Sequence, residues 1–386
     1  MSDTTAGEIY LDNNATTRPL PEVIDTVARH LGESYGNPGS RHGVGRRARV
    51  ALEDARESMA DILGAKPGEV IFTSGGTEST NLALLGFSAG ETGVVLTTAG
   101  EHPATTESLA ALRQSGWTTH VLGVDDNGRL LADRIASAPW DQVRLATVIL
   151  AHNETGVVQD TGALSQACRQ HDIPLHIDAV QAVAKIPVNF HELGAASLAL
   201  GAHKFHGPRG IGALLLREGC QLAPVVYGGH QELGRRPGTE VVALAAGMAR
   251  ALEIWNANLE KRTAHVRGLR DRLQQGLQTA VSPTVINGHD EHRLPNTLNI
   301  AFPGLDGEAI LVALDLEGVA CSLGSTCSSG SSEPAPALVA MGCTEDVYRA
   351  SVRLSVGIEN TVEEIDEAVR RITGVIDRLK NASTHN

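Results

Sequence analysis

The chain has 386 residues, 42% hydrophobic, 20% charged and only 3% aromatic, with 41 glycines and a formal net charge of -13. That length accommodates a large core in roughly two domains, and the acidic balance excludes nucleic acid and anionic membrane surfaces as principal partners. The five cysteines (Cys168, Cys220, Cys321, Cys327 and Cys343) are odd in number and lack C-x-x-C spacing, which excludes a disulfide framework or a zinc site and reads as free thiols in a reducing compartment.

No apolar run is long enough to span a bilayer, and Met1-Ser2-Asp3-Thr4-Thr5 lacks the basic and apolar stretches of a signal peptide, so a cytoplasmic location is expected. In chain order, apolar periodicity predicts helices over 21–31, 46–63 and 77–85. They alternate with strands over 69–73, 94–97, 119–122, 145–150, 174–178, 197–200 and 212–216. Several strands are apolar on both faces, as a covered sheet requires, and the alternation predicts an α/β fold with a mostly parallel sheet.

After about Val242 the pattern changes. Residues 242–277 predict a bent or broken helix, and 294–302, 308–316 and 352–356 predict strand, helix and strand. Residues 361–380 form an amphipathic helix, opened by a Thr361/Glu364 capping box and striped by Ile365, Val369, Ile372, Val375, Ile376 and Leu379. The expected division is a large domain over 16–255 and a smaller α+β domain over 256–386 that includes residues 1–15. The pattern alone leaves the arm before the first helix free to join either.

Chemistry-bearing residues cluster at the ends of the predicted strands. Ser74-Gly75-Gly76-Thr77 sits between a strand and a helix, where exposed N–H groups form an anion cup or a simple helix cap. It is neither a Walker loop nor G-x-G-x-x-G. Glu101-His102-Pro103, Asn153-Glu154-Thr155-Gly156 and His176-Ile177-Asp178 each close an apolar strand. Lys204, in Gly201-Ala202-His203-Lys204-Phe205-His206, closes another. A lysine there is placed to lose its proton and condense with a carbonyl, whereas Lys66, Lys185, Lys261 and Lys380 read as surface lysines. An anion cup, a flat ring, an amide, a carboxylate and an amine together meet the needs of pyridoxal 5′-phosphate. His102, His203 and His206 lack zinc-ligand spacing.

These motifs, with Tyr10-Leu11-Asp12-Asn13-Asn14-Ala15-Thr16-Thr17, Gly36-Asn37-Pro38, Arg236-Pro237-Gly238-Thr239 and Leu294-Pro295-Asn296-Thr297, run nearly end to end. In that order they resemble the cysteine desulfurases of the NifS/IscS type, class-V aminotransferases with the fold-type I architecture of pyridoxal-phosphate enzymes. The resemblance implies conversion of L-cysteine to L-alanine, with the sulfur passing to an enzyme cysteine and on to an acceptor, such as an iron–sulfur scaffold protein. Lys204 would hold the cofactor covalently and move the α-proton, Asp178 would pair with the ring nitrogen, and His102 would stack on the ring. Asn153 and Gln181 would contact the ring oxygen, with Asn153 also near substrate, and Gly76, Thr77 and His203 would bind phosphate. Thr239 would reach a neighbouring subunit's phosphate in a homodimer, and Arg353 would pair with the substrate carboxylate.

The run Ser322-Leu323-Gly324-Ser325-Thr326-Cys327-Ser328-Ser329-Gly330-Ser331-Ser332-Glu333-Pro334 is almost all Ser and Gly, a flexible composition, with Pro334 suited to the first turn of the next helix. By the resemblance Cys327 would carry the persulfide and could transiently ligate an iron–sulfur cluster, while Cys321 reads as structural. Two positions depart from the family's pattern. Gly201 stands where a serine hydroxyl is common, and Thr326 where alanine is common. A selenocysteine lyase or a class-V aminotransferase is the alternative, although a transaminase has no need of Cys327. A non-catalytic relative would not need Lys204, Asp178 and Cys327 together.

Overall fold

The computed structural model describes residues 7–323 and 335–383. Its centre is a seven-stranded sheet in the order Val70–Thr73, Gly212–Leu216, Ser197–Gly201, Leu175–Asp178, Val143–Ile149, Val94–Thr98, Thr118–Leu122. Gly212–Leu216 is antiparallel to both neighbours, and every other adjacent pair is parallel. The sheet is therefore mostly parallel, as expected. Ser197–Gly201 and Gly212–Leu216 are buried at all five positions, the mark of strands covered on both faces.

Alternation along the strands divides the core into two layers. Val70, Phe72, Leu96, Val148, Ile177, Leu198 and Leu215 face one side, under helices Gly43–Leu63, Gly162–Gln170 and Val242–Asn256. Ile71, Val95, Leu145 and Leu214 face the other, under Gly76–Phe87 and Pro103–Gln114. The last helix was not picked out from sequence, because its Ala-Thr-Thr-Glu start hides the apolar period. Pro103 at its first turn was the available signal.

A second core gathers around a four-stranded antiparallel sheet, ordered Ser322–Leu323, Ser351–Ser355, Thr297–Ala301, Val285–Asn287. Helices Leu259–Ala280, Gly307–Leu316 and Val362–Ser383 supply its apolar side chains. The amino-terminal arm joins it. Ile9–Tyr10 pairs in parallel with Val319–Ala320, and Ile9 and Leu11 are buried in this core. The helical stretch after Val242 breaks between Asn256 and Leu259, because Trp255 belongs to the first core while Val266, Leu269 and Leu273 belong to the second.

The strand expected from 294 begins at Thr297, since Leu294 packs into the first core and its N–H donates to Gly156 O at 2.7 Å. The final helix carries its capping box: Glu364 N donates to Thr361 Oγ1 and Thr361 N to Glu364 Oε2, both at 3.2 Å, worth about 1 kcal/mol to the helix. Pro334 lies outside the described residues, and the helix after it begins at Pro336. No helix among the described residues is long and apolar enough to cross a membrane. No group of three or more His, Cys, Asp or Glu among them could hold a metal ion.

Candidate active site

The ends of five strands open onto one cavity of about 600 Å³, at the edge where open α/β sheets receive ligands. The small sheet closes its far side through Arg353, Ser322 and Leu323. Gly76, Thr77, His102, Asn153, Asp178, Gln181, His203, Lys204 and Arg353, all expected in the site, line it together.

At one end, Val70–Thr73 hands over to the helix Gly76–Phe87 through Gly75, whose φ of 154° and ψ of -178° only glycine adopts readily. A side chain at Gly76 would strike Val180 Cγ2 at 2.5 Å, which pins the helix start against the neighbouring loop. Among the described residues no side chain caps this helix, which leaves its first N–H groups to an anion. His203 borders the same end; its Nδ1 lies 3.2 Å from Thr16 Oγ1, and burial with the Lys204 charge lowers its pKa to about 4.

The missing hydroxyl at Gly201 bears on this end. Its backbone is extended (φ -136°, ψ 124°), and a Cβ there would sit 3.5 Å from Gly76 N, in ordinary contact. Gly201→Ser should therefore fold normally and add one donor to the anion cup. A hydrogen bond to a charged group contributes about 1.5–3 kcal/mol, so pyridoxal phosphate should bind the apoprotein about tenfold more tightly in equilibrium titration. Unchanged affinity would place the phosphate elsewhere.

Asp178 lies at the base of the cavity. It is buried, accepts from Val180 N at 2.9 Å, and has no ion pair among the described residues. Burial raises its pKa, and the proximity of His102 and Lys204 opposes that rise. His102 caps the helix Pro103–Gln114, with Nδ1 accepting from Ala104 N at 3.0 Å, so the ring is held in place. Burial lowers its pKa, keeping the imidazole neutral near pH 7 with its proton on Nε2. The adjacent Glu101 is buried behind it, accepts from Thr98 Oγ1 and from Ile149 N, and is pushed up to about 7 by burial.

Lys204 ends the short turn Ala202–Lys204, and its Nζ donates to Asn14 O at 2.7 Å and Ala15 O at 2.9 Å. Burial, then the Arg353 charge, lowers its pKa to about 8, with Asp178 and Asp12 opposing. Arg353, on Ser351–Ser355, donates from Nη2 to Asp12 Oδ1 at 2.6 Å and from Nη1 to Asn153 O at 3.1 Å, while its buried Nε has no partner among the described residues. That unmatched N–H fits a guanidinium awaiting a carboxylate.

The donor set fits pyridoxal phosphate: an uncapped helix start, a buried carboxylate without a cation, a flat neutral imidazole and an amine of lowered pKa share one cavity. Thr239 is exposed and does not line the cavity of its own chain. Cys327 and Thr326 lie outside the described residues, but Cys321, Ser322 and Leu323, just before them, line the cavity wall. Cys321, read as structural from sequence, thus faces the site. Burial and Asp12 push its thiol up to about 12.

Sequence reasoning missed three further residues. Asn14 is a hub whose Nδ2 donates to Asn153 O at 3.2 Å and Thr297 Oγ1 at 2.9 Å, while its carbonyl accepts from Lys204 and Gln181. Glu154 lines the cavity with burial raising its pKa to about 8. Lys185, expected at the surface, is only 5% exposed. It follows an apolar, alanine-rich stretch beside a proline, and its burial depends on a contact 171 residues away at Asn14.

Comparison with known proteins agrees with this geometry. The aminotransferase class-V family model matches residues 9–368. The chain is 39% identical to a cysteine desulfurase IscS of Dictyoglomus turgidum, over 98% of this chain and 97% of that protein. It is also 39% identical to the cysteine desulfurase NifS of Azotobacter vinelandii, over 98% and 95%. Among solved structures, a NifS-like protein superposes with a TM-score of 0.90 at 32% identity, covering 96% of this chain and all of the other. The chain belongs to the class-V aminotransferase family, as a pyridoxal-phosphate-dependent cysteine desulfurase that converts L-cysteine to L-alanine and transfers the sulfur.

Proposed function

We propose that the cavity carries out this reaction with Lys204, His102, Asp178, Arg353 and Cys327 in distinct roles, and that it is completed by a second copy of the chain. The observation that carries the reading is Lys204: a part-buried amine whose pKa is lowered to about 8, held by two carbonyls and sharing one cavity with a buried carboxylate. Pyridoxal phosphate, when bound, supplies a carbonyl carbon that bonds amines and a ring that withdraws electrons from the substrate α-carbon.

Gly76, Thr77 and His203 hold the phosphate, and Asp178 keeps the ring nitrogen protonated. Asn153 and Gln181 meet the ring oxygen. Arg353 takes the substrate carboxylate, which also satisfies its unpartnered Nε. Lys204 Nζ removes the proton from the substrate α-carbon and later returns one. His102 covers the ring and holds a proton at Nε2. Cys327, as thiolate, attacks the substrate sulfur: the S–S bond forms, the carbon–sulfur bond breaks, and protonation of the carbon gives alanine.

Surface features of the single chain support the homodimer. Ile24, Leu31, Tyr35, Val50, Val226, Tyr227, Leu233 and Val241 are all exposed apolar side chains, Tyr227 at 84% and Leu233 at 77%. The turn presenting Leu233 is strained, with positive φ at Glu232 and Leu233, and a buried two-point pair between Arg56 and Glu232 (2.7 and 3.0 Å) anchors it. Thr239, six residues after Leu233, is exposed as well. The sulfur leaving Cys327 passes to an acceptor protein, and a scaffold for iron–sulfur clusters is the class of acceptor that the resemblance supports.

Mixing Thr239→Ala chains with Lys204→Ala chains tests the shared site. Each hybrid dimer regains one site with both residues intact, so activity should rise to about a quarter of the parental value at full exchange, given a statistical half of dimers hybrid with one working site each. No recovery, or a fully active monomer by light scattering, would rule the shared site out.

A further inference from the structure

Lys185 is buried, and among the described residues no carboxylate pairs with it. Lysines ordinarily extend their ammonium to water, and a buried one must find other oxygens. Here Nζ donates to two side-chain amides, Asn14 Oδ1 at 3.0 Å and Gln181 Oε1 at 2.5 Å. Ala184, immediately before it, sits at φ 64°, a left-handed conformation that alanine disfavours, in the tight turn that carries Lys185 inward. Thr263 Oγ1 donates to its carbonyl at 3.4 Å.

The consequence lies in the orientation of the amides. Lysine nitrogen offers protons to both oxygens, so both amide oxygens must face it and both NH₂ ends must point away. For Asn14 that end reaches Asn153 O and Thr297 Oγ1. For Gln181 it reaches Asn14 O at 2.8 Å, and the side chain lines the cavity. Asn14 O is also an acceptor for Lys204 Nζ. Lys185 therefore stands one hydrogen bond behind Gln181 and meets Lys204 through one residue, Asn14, whose Oδ1 takes Lys185 and whose backbone O takes Lys204, although it does not itself line the cavity. The cations Lys204 and Arg353 face it, and with burial they lower its pKa well below that of a free lysine.

We infer that Lys185 is a positioning residue for the desulfurase reaction: it locks the Gln181 amide with N–H, not C=O, toward the ring oxygen of bound cofactor. The inference rests on the ring-oxygen contact proposed for Gln181. An N–H donor there stabilises the deprotonated form of the cofactor chromophore. With Lys185 removed only the Nε2–Asn14 O hydrogen bond still opposes a turn of the amide, and a turned amide would meet the ring oxygen with its carbonyl, repulsively.

The test is a visible-absorbance pH titration of the purified holoprotein with L-cysteine absent. Lys185→Met, matched in length without a donor, should move the chromophore's midpoint upward by about one pH unit, the size of shift that loss of one such hydrogen bond produces. Its melting temperature should stay close to the parental value, because the desolvation cost of the buried amine goes together with its two hydrogen bonds. Lys185→Gln, which keeps an NH₂ donor, should stay near the parental midpoint. Gln181→Met should shift the midpoint as Lys185→Met does, and the double variant should add nothing. A shift for Gln181→Met but none for Lys185→Met overturns the inference, as do additive shifts or a lowered melting temperature with an unmoved midpoint. No shift for Gln181→Met removes the ring-oxygen contact itself, and the inference falls with it.

Discussion

Lys204→Ala is expected to abolish alanine formation from L-cysteine, with a loss of about 10⁴-fold or more, because the proposed roles give one side chain both the covalent hold on the cofactor and the proton transfer at the α-carbon. Borohydride followed by peptide mass spectrometry should fix pyridoxyl mass on the Lys204 peptide of the parental protein and on no other lysine. A borohydride-reducible bond surviving in Lys204→Ala would assign the chemistry elsewhere. The environment of the amine adds a pH signature. Burial and Arg353 lower its pKa to about 8, so the reactive neutral form predominates above pH 8 and is lost as the pH falls through that value. Capture of pyridoxal phosphate by the apoprotein should accordingly quicken between about pH 7 and 9 and then level off. An ordinary lysine would keep gaining up to about pH 10.4. Arg353→Met, which removes the neighbouring positive charge, should move that curve upward.

The parts of this site that were legible in the sequence share one property: they sit at strand ends, where an apolar run stops and a polar residue follows. Asp178, His102, Asn153 and Lys204 were found that way, because the parallel sheet forces successive strand ends onto one edge. The large sheet was legible for the same reason, since its central strands bury both faces and read as continuous apolar runs. What the sequence hid depends on distant partners. Asn14 takes its role from Lys204, Asn153 and Thr297, and Lys185 takes its burial from Asn14 and Gln181. No local pattern carries such information. The break after Asn256 was expected only as a bend or an interruption somewhere, because a helix serving two cores in turn has an apolar stripe that changes face at the junction. Thr239 represents a further limit, as its proposed partner is a second copy of the chain.

Cys327→Ala is expected to separate the two halves of the reaction. No residue proposed to touch cofactor is removed, so the variant should bind pyridoxal phosphate with parental affinity and change its visible spectrum on adding L-cysteine. Sulfur transfer to a thiol acceptor should fall by about 10³-fold or more, since alanine offers no nucleophile. Cys321 is the obvious rival, being on the cavity wall five residues after the helix Gly307–Leu316 and six before Cys327. Its surroundings disqualify it. Burial and the Asp12 carboxylate push its thiol up to about 12, so only about 10⁻⁴ of it or less is thiolate at pH 7.5, and the thiolate is the nucleophile. Cys327 instead lies in a run of Ser and Gly, without the apolar stretch that precedes Cys321. Cys321→Ala should consequently transfer sulfur at close to the parental rate. Alkylation after a single turnover, followed by peptide mass spectrometry, decides between them. The extra sulfur should be found on the Cys327 peptide, and its appearance on Cys321, or undiminished transfer by Cys327→Ala, would overturn the assignment.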